Sequence, residues 1–300
     1  MIRSAKKCGA NSVKLQILTP ELISSTPWII DAQKKAQLTY DEYLEIKKFA
    51  EKMDIEIFSS IGDIESFQLF KRLKFKKVKI SSSNLNNFQL HEKICDLECP
   101  VILSTGDARL SEIKRTVDFY KTKNIDISVT HCIPKYPTKL ENTYLKTIPY
   151  LKKTFNIPIG FSDHTRGVLA SIVAVALGAT IIEKHFTIDN NMPGPDHHFS
   201  LNPDEFSLLV DRIRETEKTL GNPDEYFKNI NKKKESNVRR AIVFIKNKKA
   251  GYKIKLEDVI IARPKKHSKN EIDPFDYKEV IGKKLKKNIN AFEPIEFDHI

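Results

Sequence analysis

Seven apolar runs of strand length punctuate the first three fifths of the chain, at positions 11–17, 55–60, 76–82, 100–105, 125–132, 157–163 and 180–186. Helical patterns fill the intervals between them. The stretch 39–53 opens with a capping box, Thr39 and Glu42. Amphipathic segments cover 110–124, 142–155 and 202–220, and 167–179 is apolar on nearly all sides, which predicts a buried helix. Regular strand–helix alternation demands parallel strands with helices outside. Such chains close as a (β/α)8 TIM barrel or stay open as a doubly wound sheet. No G-x-G-x-x-G follows the first run, which argues against the dinucleotide-binding form. Seven strands preceded by a helix end, "SAKKCGA", predict an α/β barrel lacking its first strand in this chain.

The alternation stops near "GNPDEYFKNINKKKESN". This predicts a barrel domain over 1–227, a charged linker over 228–236, and a small all-β domain over 237–300 built from "RRAIVFI", "KLEDVIIARP", "EVIGKKL" and "EPIEFDHI". The net charge of +12 raises nucleic acid as a partner, and from position 228 onward there are 20 Lys and Arg against 10 Asp and Glu. Few aromatics interleave with those lysines and no nucleic-acid motif is present, so nucleic acid is not the favoured partner. No apolar run approaches the roughly 20 residues that span a bilayer, and no secretory h-region follows Met1. Cys8, Cys95, Cys99 and Cys132 form no zinc pattern, which predicts reduced thiols and a cytoplasmic location.

In parallel α/β folds, chemistry collects at the C-terminal ends of strands. His164 closes the sixth run and His185 the seventh, with Ser162, Asp163, Glu183 and Asp196 nearby and Asp189, His197 and His198 in the following loop. One helix joins the two runs, which predicts neighbouring strands and two imidazoles able to share one ion. The mixed nitrogen and oxygen surroundings admit Mn, Mg, Fe or Zn. The plainer alternative is that each histidine is a satisfied, half-buried polar residue. Lys14 and Lys79 interrupt otherwise apolar strands, in "VKLQ" and "VKIS". A buried ammonium needs an anionic partner, so the pair predicts a shared anion; the alternative is a solvent-facing edge strand. Ser59, Ser60, Ser82, Ser104, Thr105 and Gly106 fall at strand ends, where hydroxyls and amides suit a carboxylate or phosphate.

The stretches "GFSDHTRG", "GATIIEKHFTIDNNMPGPDHHFSLNPDEF", "VILSTGDA" and "HCIPKYPT" closely resemble the sialic acid synthase family, and the tail resembles its antifreeze-like (SAF) domain. The resemblance covers essentially the whole chain. It implies condensation of phosphoenolpyruvate with the open-chain aldehyde of an N-acylated, N-acetylmannosamine-like hexosamine, giving a nonulosonic 2-keto acid and phosphate. It implies a divalent metal cofactor, manganese or magnesium, on His164 and His185. That ion would polarise the aldehyde oxygen. It implies phosphoenolpyruvate on Lys14, Lys79, Ser60, Ser82, Ser104 and Ser162, and sugar contacts from Gln16, Tyr136 and Asp196. It further implies a domain-swapped homodimer in which Arg263 reaches the N-acyl group bound by the other subunit.

The sequence departs from the family pattern in several places. The opening A-E-I-G-x-N-H-x-G strand and its glutamate are absent. Asn84 stands where the family has Glu or Asp, Pro134 where it has Asn or Ser, and Ser60, Ile61 and Gly62 replace T-P-F. Two other functions stay open: a family member kept as a binding or assembly subunit, and a nucleic-acid-binding protein using the basic tail.

Overall fold

β-Branched and aromatic residues cluster in the strand runs, and each run becomes a strand of one sheet. The structure is a computed structural model and describes residues 1–232 and 238–300. The strands are β1 (Ser12–Ile17), β2 (Glu56–Ile61), β3 (Val78–Ile80), β4 (Val101–Ser104), β5 (Ile127–Cys132), β6 (Ile159–Asp163) and β7 (Ile182–Lys184). All run parallel, in the order β1-β2-β3-β4-β5-β6-β7. No ladder joins β7 to β1 among the described residues. The sheet is therefore a curled, TIM-barrel-like wall with one open seam.

Alternation with period two separates two faces of this wall. Ile57, Val78, Ile80, Leu103, Val129, Ile159 and Phe161 point outward into the main core under the helices. Each such buried side chain contributes about 1.5–3 kcal/mol relative to exposure. Lys14, Ser60, Lys79, Ser104, Thr130, Ser162 and Glu183 occupy the opposite phase. The two edge strands are the least covered: β7 is only partly buried throughout, whereas β4 is buried throughout.

The helices form for local reasons. Tyr40–Lys52 carries the expected Thr39–Glu42 capping box. Asn202 caps Pro203–Leu220 in the same reciprocal way, accepting from the Glu205 amide at 3.0 Å while Glu205 accepts from the Asn202 amide at 3.0 Å. The first helix, Ile2–Lys7, packs on this last barrel helix: the Cys8 thiol donates to the Pro203 carbonyl at 3.3 Å. Gly9, at φ +86°, comes so close that a Cβ would lie 2.9 Å from Val210 Cγ1. The helical layer thus brings its first and last members together where the strands do not pair.

Two expectations change. Helix Leu169–Ala176 is not buried on all sides, because Leu169 and Val173 are exposed. They sit one turn apart, while Ala170, Ser171, Ala174 and Val175 are buried. The C-terminal part is not purely β. The chain divides into two units, Met1–Leu220 and Gly221–Ile300. In the second, β8 (Ala241–Phe244) and β9 (Val259–Ala262) form an antiparallel pair, and the other described residues from 238 onward form bridges, turns, short 3-10 segments and the short helix Tyr277–Val280. "EVIGKKL" does not become a strand: Val280 plugs the small core with Ile242, Phe244 and Ile295, and Gly282 turns away at φ +82°. Helix Pro223–Lys232 runs into the stretch read as linker, whose residues 233–236 lie outside the described residues.

Candidate active site

The register of β6 and β7 sets the geometry of the histidines. Ser162 pairs with Glu183 and Asp163 with Lys184, so His164 and His185 leave neighbouring strands at matching positions. Their ring centroids lie 5.4 Å apart at 66°. His164 Nδ1–H donates to the Ile133 carbonyl at 2.8 Å, which leaves Nε2 as a lone-pair donor. His185 Nδ1 lies 3.5 Å from Asp196 Oδ2. Tyr136 covers His164 at 4.0 Å between centroids, and Phe199 covers His185 at 5.1 Å. Burial pulls both imidazoles down, His185 to about 4, so both rings are neutral near pH 7. Neutral imidazole is the ligand form, and a carbonyl fixing the far ring nitrogen is the usual support for a metal-binding histidine. The donor set therefore fits a divalent ion. No three His, Cys, Asp or Glu ligand atoms lie within 4.8 Å of one another here among the described residues, so water or substrate oxygens would complete its shell.

Behind the imidazoles, on the outer face, Asp163 and Lys184 form a fully buried ion pair at 2.9 Å. Asp163 also accepts from the Ser171 hydroxyl at 2.6 Å and the Thr165 amide at 2.8 Å. This pair ties together the two strands that carry the histidines.

The two lysines meet across the lumen. Lys79, from β3, and Lys14, from β1, both reach Glu183 on β7: Lys14 Nζ lies 3.2 Å from Oε1, and Lys79 bonds Oε2 directly. Lys79 also donates to Thr130 Oγ1 at 3.1 Å, and Thr130 bonds the Ser104 hydroxyl at 2.9 Å. Lys79 is buried, which excludes the solvent-facing alternative for that residue. The anionic partner that a buried ammonium requires is supplied by the chain itself. Burial alone would raise the Glu183 carboxyl, but Lys79 and Lys14 override it and hold the group well below the carboxylate range. Two lysine nitrogens thus face one carboxylate; burial pulls the Lys79 ammonium down, and Glu183 opposes that shift.

The remaining candidates distribute unevenly. Ser162 is buried beside Cys132, whose thiol burial pushes up; Ser82 flanks the same sulfur. Ser82 Oγ accepts the Gly106 amide at 2.8 Å, and any side chain at Gly106 would strike that hydroxyl. Ser60 is buried in the inward phase of β2, and Gln16 follows Lys14 in phase but is exposed. Arg263 is an exposed residue just past β9, in the second unit. Asn84 spends its amide on the Gly62 carbonyl at 2.7 Å. Asp189, His197 and His198 brace their own loop: His197 bonds Thr187 at 2.7 Å, Asp189 caps Asn191 at 2.9 Å, and the His198 carbonyl accepts from Arg166 at 2.9 Å. Thr130 is not singled out by the sequence, Cys132 reads there only as a reduced thiol, and the link from Glu183 to the lysines is not foreseen. The detectable signal was parity, since all share the inward phase of their strands.

The NeuB family model matches residues 1–225 and the SAF domain model residues 239–300. The chain belongs to the NeuB family. An N,N'-diacetyllegionaminic acid synthase from Campylobacter jejuni is 34% identical over 97% of this chain and 87% of its own length. A pseudaminic acid synthase from the same species is 33% identical over 96% of this chain and 87% of its own length. The crystal structure of an N-acetylneuraminic acid (sialic acid) synthetase from Leptospira borgpetersenii, in complex with citrate, superposes with a TM-score of 0.73 at 31% identity, covering 78% of this chain and 85% of that one. Family membership agrees with the resemblance carried by the His164 and His185 motifs.

Proposed function

We propose that this chain condenses phosphoenolpyruvate with the open-chain aldehyde of an N-acylated hexosamine, releasing phosphate and a nonulosonic 2-keto acid for a surface glycan. The observation that carries it is the convergence of Lys14 and Lys79 on Glu183 of β7, two residues before His185, in a site that also holds the neighbouring imidazoles of His164 and His185. The names of the relatives, synthases of legionaminic and pseudaminic acids, support the same product class.

In this reading Lys79 and Lys14 hold the anionic groups of phosphoenolpyruvate, with Ser60, Ser82, Ser104 and Ser162 supplying hydroxyls. C3 of the enol attacks the aldehyde carbon, water captures the cation left at C2, and phosphate leaves. His164 and His185 would hold a divalent ion, manganese or magnesium, which would supply Lewis acidity toward the aldehyde oxygen. Tyr136 and Phe199 pack against the imidazoles, and Asp196 orients His185. Gln16, Tyr136 and Asp196 contact the sugar. Two copies form a dimer, and Arg263 of one copy reaches the N-acyl group bound in the other. Among the described residues no helix is long and apolar enough to cross a membrane, which is compatible with a cytoplasmic enzyme.

Complementation tests the function. A strain deleted for its own nonulosonate synthase should regain the surface acid when it expresses this chain, and should not when it expresses His185→Ala. A folded, expressed chain that restores nothing in strains with different amino-sugar precursors would favour the binding-subunit alternative.

A further inference from the structure

We propose that Glu183 is an internal counter-ion that occupies the anion subsite of the substrate-free chain and gives up the lysines when phosphoenolpyruvate binds. This rests on the assignment of Lys14 and Lys79 to phosphoenolpyruvate in the proposed function.

The carboxylate bridges the two ammoniums, one oxygen to each. A substrate carboxylate or phosphate needs the same donors in the same positions, so it competes with Glu183. The exposures decide which partner yields. The Lys79 side chain is 3% exposed and anchored to Thr130, whereas the Glu183 side chain is 25% exposed. Glu183 also stands on β7, a strand of three residues that, among the described residues, is paired along one edge. The lysine stays and the acid has room to withdraw. Without substrate the acid prevents an unpaired buried ammonium, which would be costly. With substrate it weakens binding, which keeps the product phosphate from being held too tightly. The prediction has an unusual sign: neutralising a residue inside the site should strengthen anion binding. A purely structural glutamate would leave binding unchanged or weaken it.

Calorimetric titration of the full chain with inorganic phosphate, at low salt, tests this on wild type, Glu183→Gln and Lys79→Met. The expected result is a phosphate Kd at least about tenfold lower in Glu183→Gln, since removal of one competing charge at contact distance is worth at least one decade. In turnover, the KM for phosphoenolpyruvate and the kcat should fall together as phosphate release slows. Lys79→Met should bind phosphate more weakly. Unchanged or weaker phosphate binding in Glu183→Gln, with Lys79→Met weakened, overturns the counter-ion role alone. Wild-type phosphate binding in Lys79→Met removes the anion site from this position and overturns both readings. Should Glu183→Gln fail to fold, Glu183→Asp is the second variant. Its shorter carboxylate cannot span both lysines, so phosphate should again bind more tightly, and equal or weaker binding overturns the proposal.

Discussion

Lys14 Nζ and Glu183 Oε1 lie 3.2 Å apart, although the two residues stand on the first and last strands of a seven-stranded sheet. Six interstrand spacings of about 4.8 Å would separate those strands by roughly 29 Å if the sheet were flat. The contact is therefore made across a lumen, and it measures how far the sheet has curled. Lys79, on β3, two strands from β1 and four from β7, reaches the same carboxylate, so three strands that are not neighbours converge on one point.

Removing Lys79 should separate binding from folding. In Lys79→Met, affinity for phosphoenolpyruvate should fall by at least about tenfold, as expected for loss of a charge-assisted hydrogen bond. Loss of one member of a buried pair usually costs about 3–5 kcal/mol, but Glu183 keeps Lys14, so the unfolding free energy should fall by about 1–3 kcal/mol. Calorimetry and urea unfolding check the two effects. Wild-type affinity in a folded variant would contradict the lysine assignment.

Metal binding should follow the imidazoles. Chelation should abolish turnover, and manganese or magnesium should restore it, at one ion per chain. His185→Ala should weaken ion binding by more than the roughly 10- to 100-fold that loss of an outer-shell partner costs, while leaving the fold intact. Atomic absorption after dialysis reads the stoichiometry, and a variant that retains the ion as well as wild type would remove His185 from the site.

The open seam should be visible in hydrogen exchange. Among the described residues the Ile182–Lys184 strand is paired on one side only and partly exposed, whereas Val101–Ser104 is paired on both sides and buried. Amides of the former should exchange measurably faster than those of the latter. Equal protection would mean that the β7 edge is covered.

A histidine outside the site should set a pH dependence of stability. His91 is fully buried: Nε2–H donates to the Leu85 carbonyl at 2.9 Å, and Nδ1 accepts from the Tyr120 hydroxyl at 2.8 Å. Burial lowers its folded-state pKa below the ordinary value of 6.5. The unfolded chain then binds the proton first as pH falls, so the contribution is complete above about pH 6.5 and is lost below it. Between pH 7.5 and 5.5, wild type should lose more stability than His91→Gln, by up to about 1.4 kcal/mol per pH unit below the unfolded pKa. Parallel urea midpoints for the two proteins would contradict this.

Much of the fold was legible because each barrel unit announces itself locally, as an apolar run, a cap such as Thr39 or Asn202, and a helical period. The histidine pair was legible for a related reason: strand ends and a single connecting helix fix neighbours. Glu183 as the partner of Lys14 and Lys79 was not, because that contact depends on the global curl, which no local pattern encodes. Parity along the strands was available, but it identifies a face and not a distance. In the C-terminal unit, "EVIGKKL" misled because a short apolar run next to glycine fits a strand or a single helical turn equally well. The exposed Leu169 and Val173 show the converse, since an all-apolar helix still has only as many buried faces as it has neighbours.

The central claim is that the lysine and histidine groups act on one pair of substrates. Its most direct measurement is the incubation of the purified chain and a divalent ion with phosphoenolpyruvate and a panel of N-acylated hexosamines, following phosphate and product mass together. The expected result is phosphate release that requires the sugar, in a one-to-one ratio with a nonulosonic acid. Phosphoenolpyruvate and metal bound at the site, with no phosphate released and no acid formed from any sugar, would contradict it.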